Sequence, residues 1–190
     1  MTSKTKILIA AQDLFYRNGY LGTSVDDIIE MASISKSNFY YHFKTKEDLG
    51  LAVIDQRKED FQKMLERTLD DYELSPTERL EKYLSLTLEA QEARLDKGGC
   101  PFGNLVAEMS EHSEKFRCRL SSMFESLKCR IADLVREGQL IGEFRKDMEA
   151  EDLAGLIIQT VQGMHLLTKC HKNVENFGRS ARLLVRLIAS

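Results

Sequence analysis

Apolar residues recur at three- and four-residue spacing along almost the whole chain, the period of amphipathic helices, while β-branched residues are scattered rather than alternating. Ile7, Ala10, Ala11, Leu14 and Phe15 form one stripe of a first helix, which Gly19 is expected to end as a left-handed cap. Ser24, with Asp27 three residues on, makes a capping-box start to a short second helix with Val25, Ile28, Ile29 and Ala32 inward, and Asp26 and Asp27 complement its dipole. After a break at Ser33-Ile34, Ser35 is a good N-cap for a third helix, anchored to the first two by Phe39 and Phe43, one turn apart. Thr45 caps a fourth.

Beyond Leu49 the helices lengthen. The fourth is expected to continue through Phe61, Met64, Leu65, Thr68 and Leu69, and Ser75-Pro76 gives the N-cap and first-turn proline of a fifth. That one carries Leu80, Tyr83, Leu84, Thr87 and Leu88 inward and ends before Gly98-Gly99. An irregular turn then leads into a short helix through about Ser110, and a seventh runs from about Ser113 to Gly138 on Phe116, Leu120, Met123, Phe124, Leu127, Ile131 and Leu134. The last two, about 148–170 and 174–188, are apolar on more than one side, through Leu153, Leu156, Ile157, Leu166 and Leu167 in one and Phe177, Leu183, Leu184 and Leu187 in the other. One face serves the core. The other calls for a symmetry copy, giving a four-helix interface of a twofold homodimer, and Gly155 and Gly163 on one stripe allow close approach. The chain therefore reads as all-α, about nine helices. Residues 1–48 form an N-terminal three-helix domain with a helix-turn-helix at about 24–43, joined through helix 4, a rigid lever, to a larger helical body over 49–190.

Composition narrows the function. At 190 residues and 43% hydrophobic the chain can bury a substantial core. It has no apolar run long enough to span a membrane, and its polar, lysine-bearing start lacks the core of a secretion signal, so a cytoplasmic protein with no membrane partner is expected. Cys100, Cys118, Cys129 and Cys170 have neither the pairing nor the neighbouring histidines of a metal site. No metal or cofactor is expected, and reduced thiols are the default. Glu108 and His112, one turn apart, are two potential ligands without a third and read as a solvated pair.

Charge is distributed unevenly. The chain carries a formal net charge of −3, yet Ser33 to Lys46 holds three lysines, a histidine, two adjacent tyrosines and no carboxylate. With Phe39 and Phe43 turned inward, the third helix presents Lys36, Ser37, Asn38, Tyr40 and Tyr41, groups suited to base edges and sugar-phosphate in a major groove. Lys46, at the start of the fourth helix, can reach a phosphate drawn to the exposed N–H groups there. Tyr40 can alternatively pack under its helix beside the phenylalanines, and His42 can be a plain surface histidine, though its place beside Tyr41 favours DNA.

These residues carry a resemblance. Ala-x-x-Leu-Phe at 11–15, Gly19-Tyr20, Thr23-Ser24-Val25-Asp26-Asp27-Ile28 and the run from Ser37 to Leu49 resemble the TetR family of bacterial transcriptional regulators over about residues 7–49. The resemblance implies that Ser24, Tyr41, His42 and Lys46 hold phosphates, and that Lys36, Ser37, Asn38 and Tyr40 lie where bases are read, behind the Ser35 cap. Asn38 stands where small threonine- or serine-like residues are common, so base preference there does not carry over. The family further implies a homodimer on a palindromic double-stranded operator, released by a small-molecule inducer.

Gly98-Gly99-Cys100-Pro101-Phe102-Gly103-Asn104 resembles, more loosely, a cysteine-bearing turn in a subset of these regulators, some of which respond to electrophiles or oxidants. Its place before a helix start favours a thiolate at Cys100, whereas Asp96, Glu108 and Glu111 would oppose one. A small apolar residue filling a glycine-rich turn is the alternative. Cys100, Phe102, Met123, Phe124 and His165 are the candidate effector-sensing residues, although methionines and phenylalanines at helical spacing are more often plain core. An enzyme built on Cys100 would need a base such as His112 or His165, and no paired nucleophile signature supports one. A constitutive architectural DNA-binding protein would leave the large helical body unexplained.

Overall fold

The structure, a computed structural model, describes residues 1–93 and 98–190. Among the described residues it is all-helical: α1 (Ser3–Asn18), α2 (Val25–Ala32), α3 (Lys36–His42), α4 (Lys46–Glu66), α5 (Pro76–Glu92), α6 (Pro101–Met109), α7 (Glu114–Ile141), α8 (Ala150–His171) and α9 (Glu175–Ile188). Apart from helices there is an isolated antiparallel bridge between Phe144 and Ala189. The chain divides into two compact units, Met1–Glu59 with Pro101–Ser121, and Asp60–Cys100 with Ser122–Ser190.

In the first unit, the expected stripe of α1 is buried, and Ile28, Ala32, Phe39 and Phe43 close over it from α2 and α3. All three helix starts are capped as the sequence implies. Ser24 and Asp27 form a reciprocal capping box, the Ser35 hydroxyl accepts the Asn38 N–H at 3.2 Å, and Thr45 and Asp48 exchange bonds at 3.0 and 3.1 Å. Gly19 departs from expectation. Its φ of 81° is positive but its ψ of 163° is extended, so the chain leaves α1 straight rather than curling into a left-handed cap.

That exit delivers Tyr20 to a site the sequence did not announce. The Tyr20 N–H donates to Glu108 Oε2 of α6 at 2.8 Å, and its ring packs against Phe15 and Phe116, each at 5.0 Å between centroids. Burial, aided by Glu47 and Asp48, pushes the phenol up to about 12. Nearby, Glu47 accepts from Ser113 Oγ at 2.7 Å and Lys115 Nζ at 2.8 Å, and Arg119 pairs with Asp55. Thus α6 and the start of α7 are part of the same packed body as α1 to α3.

The second unit is built on Leu65, Leu69, Leu80, Leu84, Ile131, Phe144, Ile157 and Phe177. Arg79 is buried in it and paired: Nε donates to the Leu69 carbonyl at 2.7 Å, Nη1 to Glu137 at 2.7 Å, and the guanidinium lies 4.5 Å from the Tyr72 ring centroid. A buried charge demands such pairing. Two helix ends differ from expectation. α4 stops at Glu66 because the Thr68 and Asp70 N–H groups both turn back to the Leu65 carbonyl, while Thr68 and Leu69 remain buried in the turn. α7 runs past Gly138 to Ile141 and ends at Gly142, φ 83°, where Gly142 and Glu143 donate to the carbonyls of Gln139 and Gly138 in a Schellman closure.

Gly50 lies in α4 where a Cβ would stand 2.4 Å from Phe116 Cζ and 2.8 Å from the Tyr20 ring. Gly50→Ala gains about 1 kcal/mol of helix propensity but overpacks two aromatic rings, at about 1–3 kcal/mol. A net loss is expected, read as a lower midpoint of thermal unfolding by circular dichroism.

Candidate nucleic-acid interface

The α3 surface is made by what lies under it. A helix of seven residues cannot persist alone, and Phe39, 0% exposed, together with Phe43 fixes one side of it inside the unit. Ser33 in the left-handed conformation, φ 51°, turns the chain between α2 and α3. What remains outward is the sequence-derived set: Lys36, Ser37, Tyr40 and Tyr41 are exposed, and Asn38 and His42 are half-buried. Tyr40 is 40% exposed, its ring edge-on to Phe39 at 5.3 Å, so it borders the core without entering it. Tyr41, 77% exposed, stands edge-on to His42 at 5.0 Å.

Three helix N-termini gather here. The Lys36 ammonium reaches Asp26 of α2 at 3.1 Å, and Lys46 of α4 interacts electrostatically with Asp27 of α2. Ser24, Ser35 and Thr45 each use the hydroxyl oxygen as a cap, and their N-terminal N–H groups are positive ends suited to phosphate. The Ser24 N–H, with its hydroxyl, holds the Asp27 carboxyl below the usual range. Lys46 Nζ lies 4.3 Å from the Tyr20 ring centroid, a cation–π seat, and partial burial lowers its pKa. Lys44 donates to the Tyr40 carbonyl at 3.1 Å. Asp26 opposes an anion here, because it neutralises Lys36 and supports that lysine's charged form.

The candidate effector residues distribute differently. Cys100, a half-buried thiol outside any disulfide, ends a turn seated on α5 and α8. Gln91 Nε2 donates to the Gly99 carbonyl at 3.2 Å, and a Cβ on Gly99 would stand 3.1 Å from the His165 carbonyl. Cys100 also lies close enough to Tyr83 to add to the burial that pushes its phenol up. His165 is buried, edge-on to Phe177 at 5.3 Å. Met123 is buried and Phe124 half-buried on α7 of the same unit, whereas Phe102 is buried in the other. Sequence reasoning placed Tyr83 and Thr87 of α5 inward but missed buried Gln91, which continues their stripe at i, i+4 and i+8. Glu108, read from the sequence as half of a solvated pair with His112, is instead half-buried with its carboxylate accepting the Tyr20 N–H. No group of three or more metal-ligating side chains occurs among the described residues. Asp96 lies outside them.

Freeing Lys36 should strengthen anion binding. Asp26→Asn removes both the internal competitor and a repulsive charge, and about threefold tighter binding of duplex DNA is expected at low salt, fading as salt screens it, by fluorescence anisotropy.

Comparison with known proteins identifies relatives of the chain and of its fold. Residues 7–53 match the family description "Bacterial regulatory proteins, tetR family", and residues 76–184 match "Tetracyclin repressor-like, C-terminal domain". The chain is 34% identical over 162 residues to the HTH-type transcriptional repressor DhaR of Mycobacterium sp. (strain GP1), covering 85% of this chain and 80% of that protein. It is 36% identical over 169 residues to an HTH-type transcriptional regulator in the lacX 3' region of Lactococcus lactis subsp. lactis, covering 88% and 83%. Among solved structures, a regulatory protein TetR from Rhodobacter sphaeroides superposes with TM-score 0.90 at 29% identity over 97% of both chains. The reduced form of NemR from E. coli superposes with TM-score 0.88 at 21% identity, over 99% and 97%, and shares the fold.

Proposed function

The chain belongs to the TetR family and is a DNA-binding transcriptional regulator, and from that premise we propose that it is a homodimeric repressor released from a palindromic operator by a small-molecule or electrophilic inducer. In this reading residues 1–48 read DNA, residues 49–190 dimerise and take the effector, and the protein acts in the cytoplasm; no helix among the described residues is long and apolar enough to cross a membrane. The observation that carries it is the exposed polar and aromatic face of α3, set beside three capped helix N-termini. Tyr41, His42, Ser24 and Lys46 take phosphates; Lys36, Ser37, Asn38 and Tyr40 face the bases. Phosphate contacts give affinity and salt dependence, and base edges give sequence choice.

One such head makes few base contacts, so two must be held about one helical turn of DNA apart. Leu156, Leu166 and Leu167 on α8 and Leu183 and Leu187 on α9 are exposed leucines on helices whose opposite faces are core. That supports a twofold four-helix interface there. Leu187→Glu, at a position 66% exposed in the single chain, is expected to leave the monomer folded and convert dimer to monomer in sedimentation velocity. Operator affinity should fall at least tenfold with it.

An inducer acts by favouring the non-binding arrangement, and each ~1.4 kcal/mol of preference weakens operator binding about tenfold. Cys100 is the half-buried thiol among the candidate effector residues, and the helix that follows it, α6, ends near Glu108, which holds Tyr20. Exposed Cys118 donates to Glu114 at 3.2 Å, which raises its pKa and keeps it protonated. An electrophile therefore has a reason to prefer Cys100 to Cys118, and exposed Cys129 and Cys170 are the thiols it must outcompete.

Titration of the DNA upstream of the gene tests this. Lys46→Ala and Tyr41→Ala should each weaken binding roughly tenfold, and Lys46→Ala should lower the slope of log affinity against log salt by about one per protomer. N-ethylmaleimide should release the parent but not Cys100→Ser. No sequence-preferring binding by a folded dimer refutes the operator; release of Cys100→Ser refutes the thiol as sensor.

A further inference from the structure

Gln91, in the last turn of α5, is 1% exposed and continues the buried line of Tyr83 and Thr87. Its Nε2 donates to the Gly99 carbonyl at 3.2 Å. A backbone carbonyl can only accept, so this bond fixes the amide with its nitrogen toward the turn and its oxygen away from it. That oxygen, Oε1, is buried and receives no hydrogen bond from the described residues. Thr87 does not supply one, because its hydroxyl donates to the Tyr83 carbonyl at 2.7 Å. Holding the turn calls for a donor alone. The amide brings an enclosed acceptor as well, and a buried acceptor without a donor has given up its hydration for nothing.

The surroundings of Gln91 are uncharged. Burial pushes the Tyr83 phenol up, so it stays neutral at physiological pH. Among the described residues of this unit, the buried side chain with a permanent charge is Arg79, which already pairs with Glu137. Lys169, whose stem borders Gly99, is exposed. A charged molecule here would lose its water and meet no buried counter-ion. We propose that Gln91 Oε1 is a ligand-selecting acceptor, which receives an O–H or N–H of an uncharged small molecule seated against α5 and the Gly99 turn. The proposal rests on the body taking an effector, and it narrows that effector to neutral hydrogen-bond donors. Ligand and turn then hold opposite ends of one amide, and each bond polarises the other.

The probes are the primary alkanols of two to eight carbons and phenol, each beside its methyl ether, with alkylammonium and carboxylate analogues of the same lengths. Each is titrated into the full-length protein and followed by proton–nitrogen correlation spectra. The signals read are the Gln91 side-chain amide, assigned by its loss in Gln91→Met, and the Gly99 backbone amide, which also reports on the variant.

One net hydrogen bond is worth about threefold to tenfold in affinity. At least one alcohol should bind that much more tightly than its ether and its charged analogues, and should move the Gln91 amide nitrogen downfield. Gln91→Met, similar in length and without the oxygen, should bind alcohol and ether alike. The proposal is overturned if no alcohol exceeds its ether in the parent, a comparison that needs no variant. It is equally overturned if the preference survives in Gln91→Met, if a charged analogue binds best, or if a buried water holds Oε1 and no probe displaces it. Release of DNA by N-ethylmaleimide without any such preference overturns this proposal and leaves the repressor standing. A Gln91-dependent preference that leaves the DNA bound supports the site and overturns the inducer reading instead.

Discussion

The burial of Phe39 and Phe43 is the contact on which the exposed polar surface of α3 depends. Seven residues make two turns, too few to hold a helix together in water. α3 therefore exists as far as its two phenylalanines pack against α1 and α2 and its Ser35 cap satisfies the first N–H groups. The same anchoring orients everything else. With one side of α3 fixed inward, Lys36, Ser37, Tyr40 and Tyr41 have no position but the outside. The polarity of that face is a consequence of the packing of the other.

A second constraint ties the three-helix head to a segment far along the chain. α6 and the first turns of α7 pack in the same unit as the head, through Phe116 on Tyr20, Glu108 on the Tyr20 N–H and Glu47 between Ser113 and Lys115. These are local, specific contacts, several of them to charged groups, and such bonds are stronger than neutral ones. Lys46, the proposed phosphate ligand, sits over the same Tyr20 ring. Tyr20 thus joins α6 to the surroundings of Lys46 through a single aromatic side chain.

The sequence was informative wherever local chemistry dominates. Helix starts were legible because Ser24, Ser35, Thr45 and Ser75 are capping residues, three of them with a carboxylate three positions on, and all four cap in the structure. Stripes were legible because burial follows the helical period. Helix ends were less so. Gly138 looked like the stop of α7, but the stop is Gly142, chosen by which glycine can adopt positive φ with two carbonyls free behind it. Gly19 has the positive φ expected of it with a different ψ, because the chain must leave α1 toward α6.

For the site, residue identity on α3 was readable from periodicity alone, since two inward phenylalanines define which positions face out. What each outward side chain is doing was not. That Lys36 is held by Asp26, that Asn38 is held by Ser3 thirty-five positions away, and that Glu108 serves Tyr20 are decided by the meeting of segments distant in sequence. The sequence by itself determined the helices, their caps, the buried stripes and the polar face, because each depends on residues within a turn or two of one another. Tertiary structure alone decided the partners of the polar groups on that face, because a hydrogen bond between helices depends on a packing geometry that no local pattern encodes.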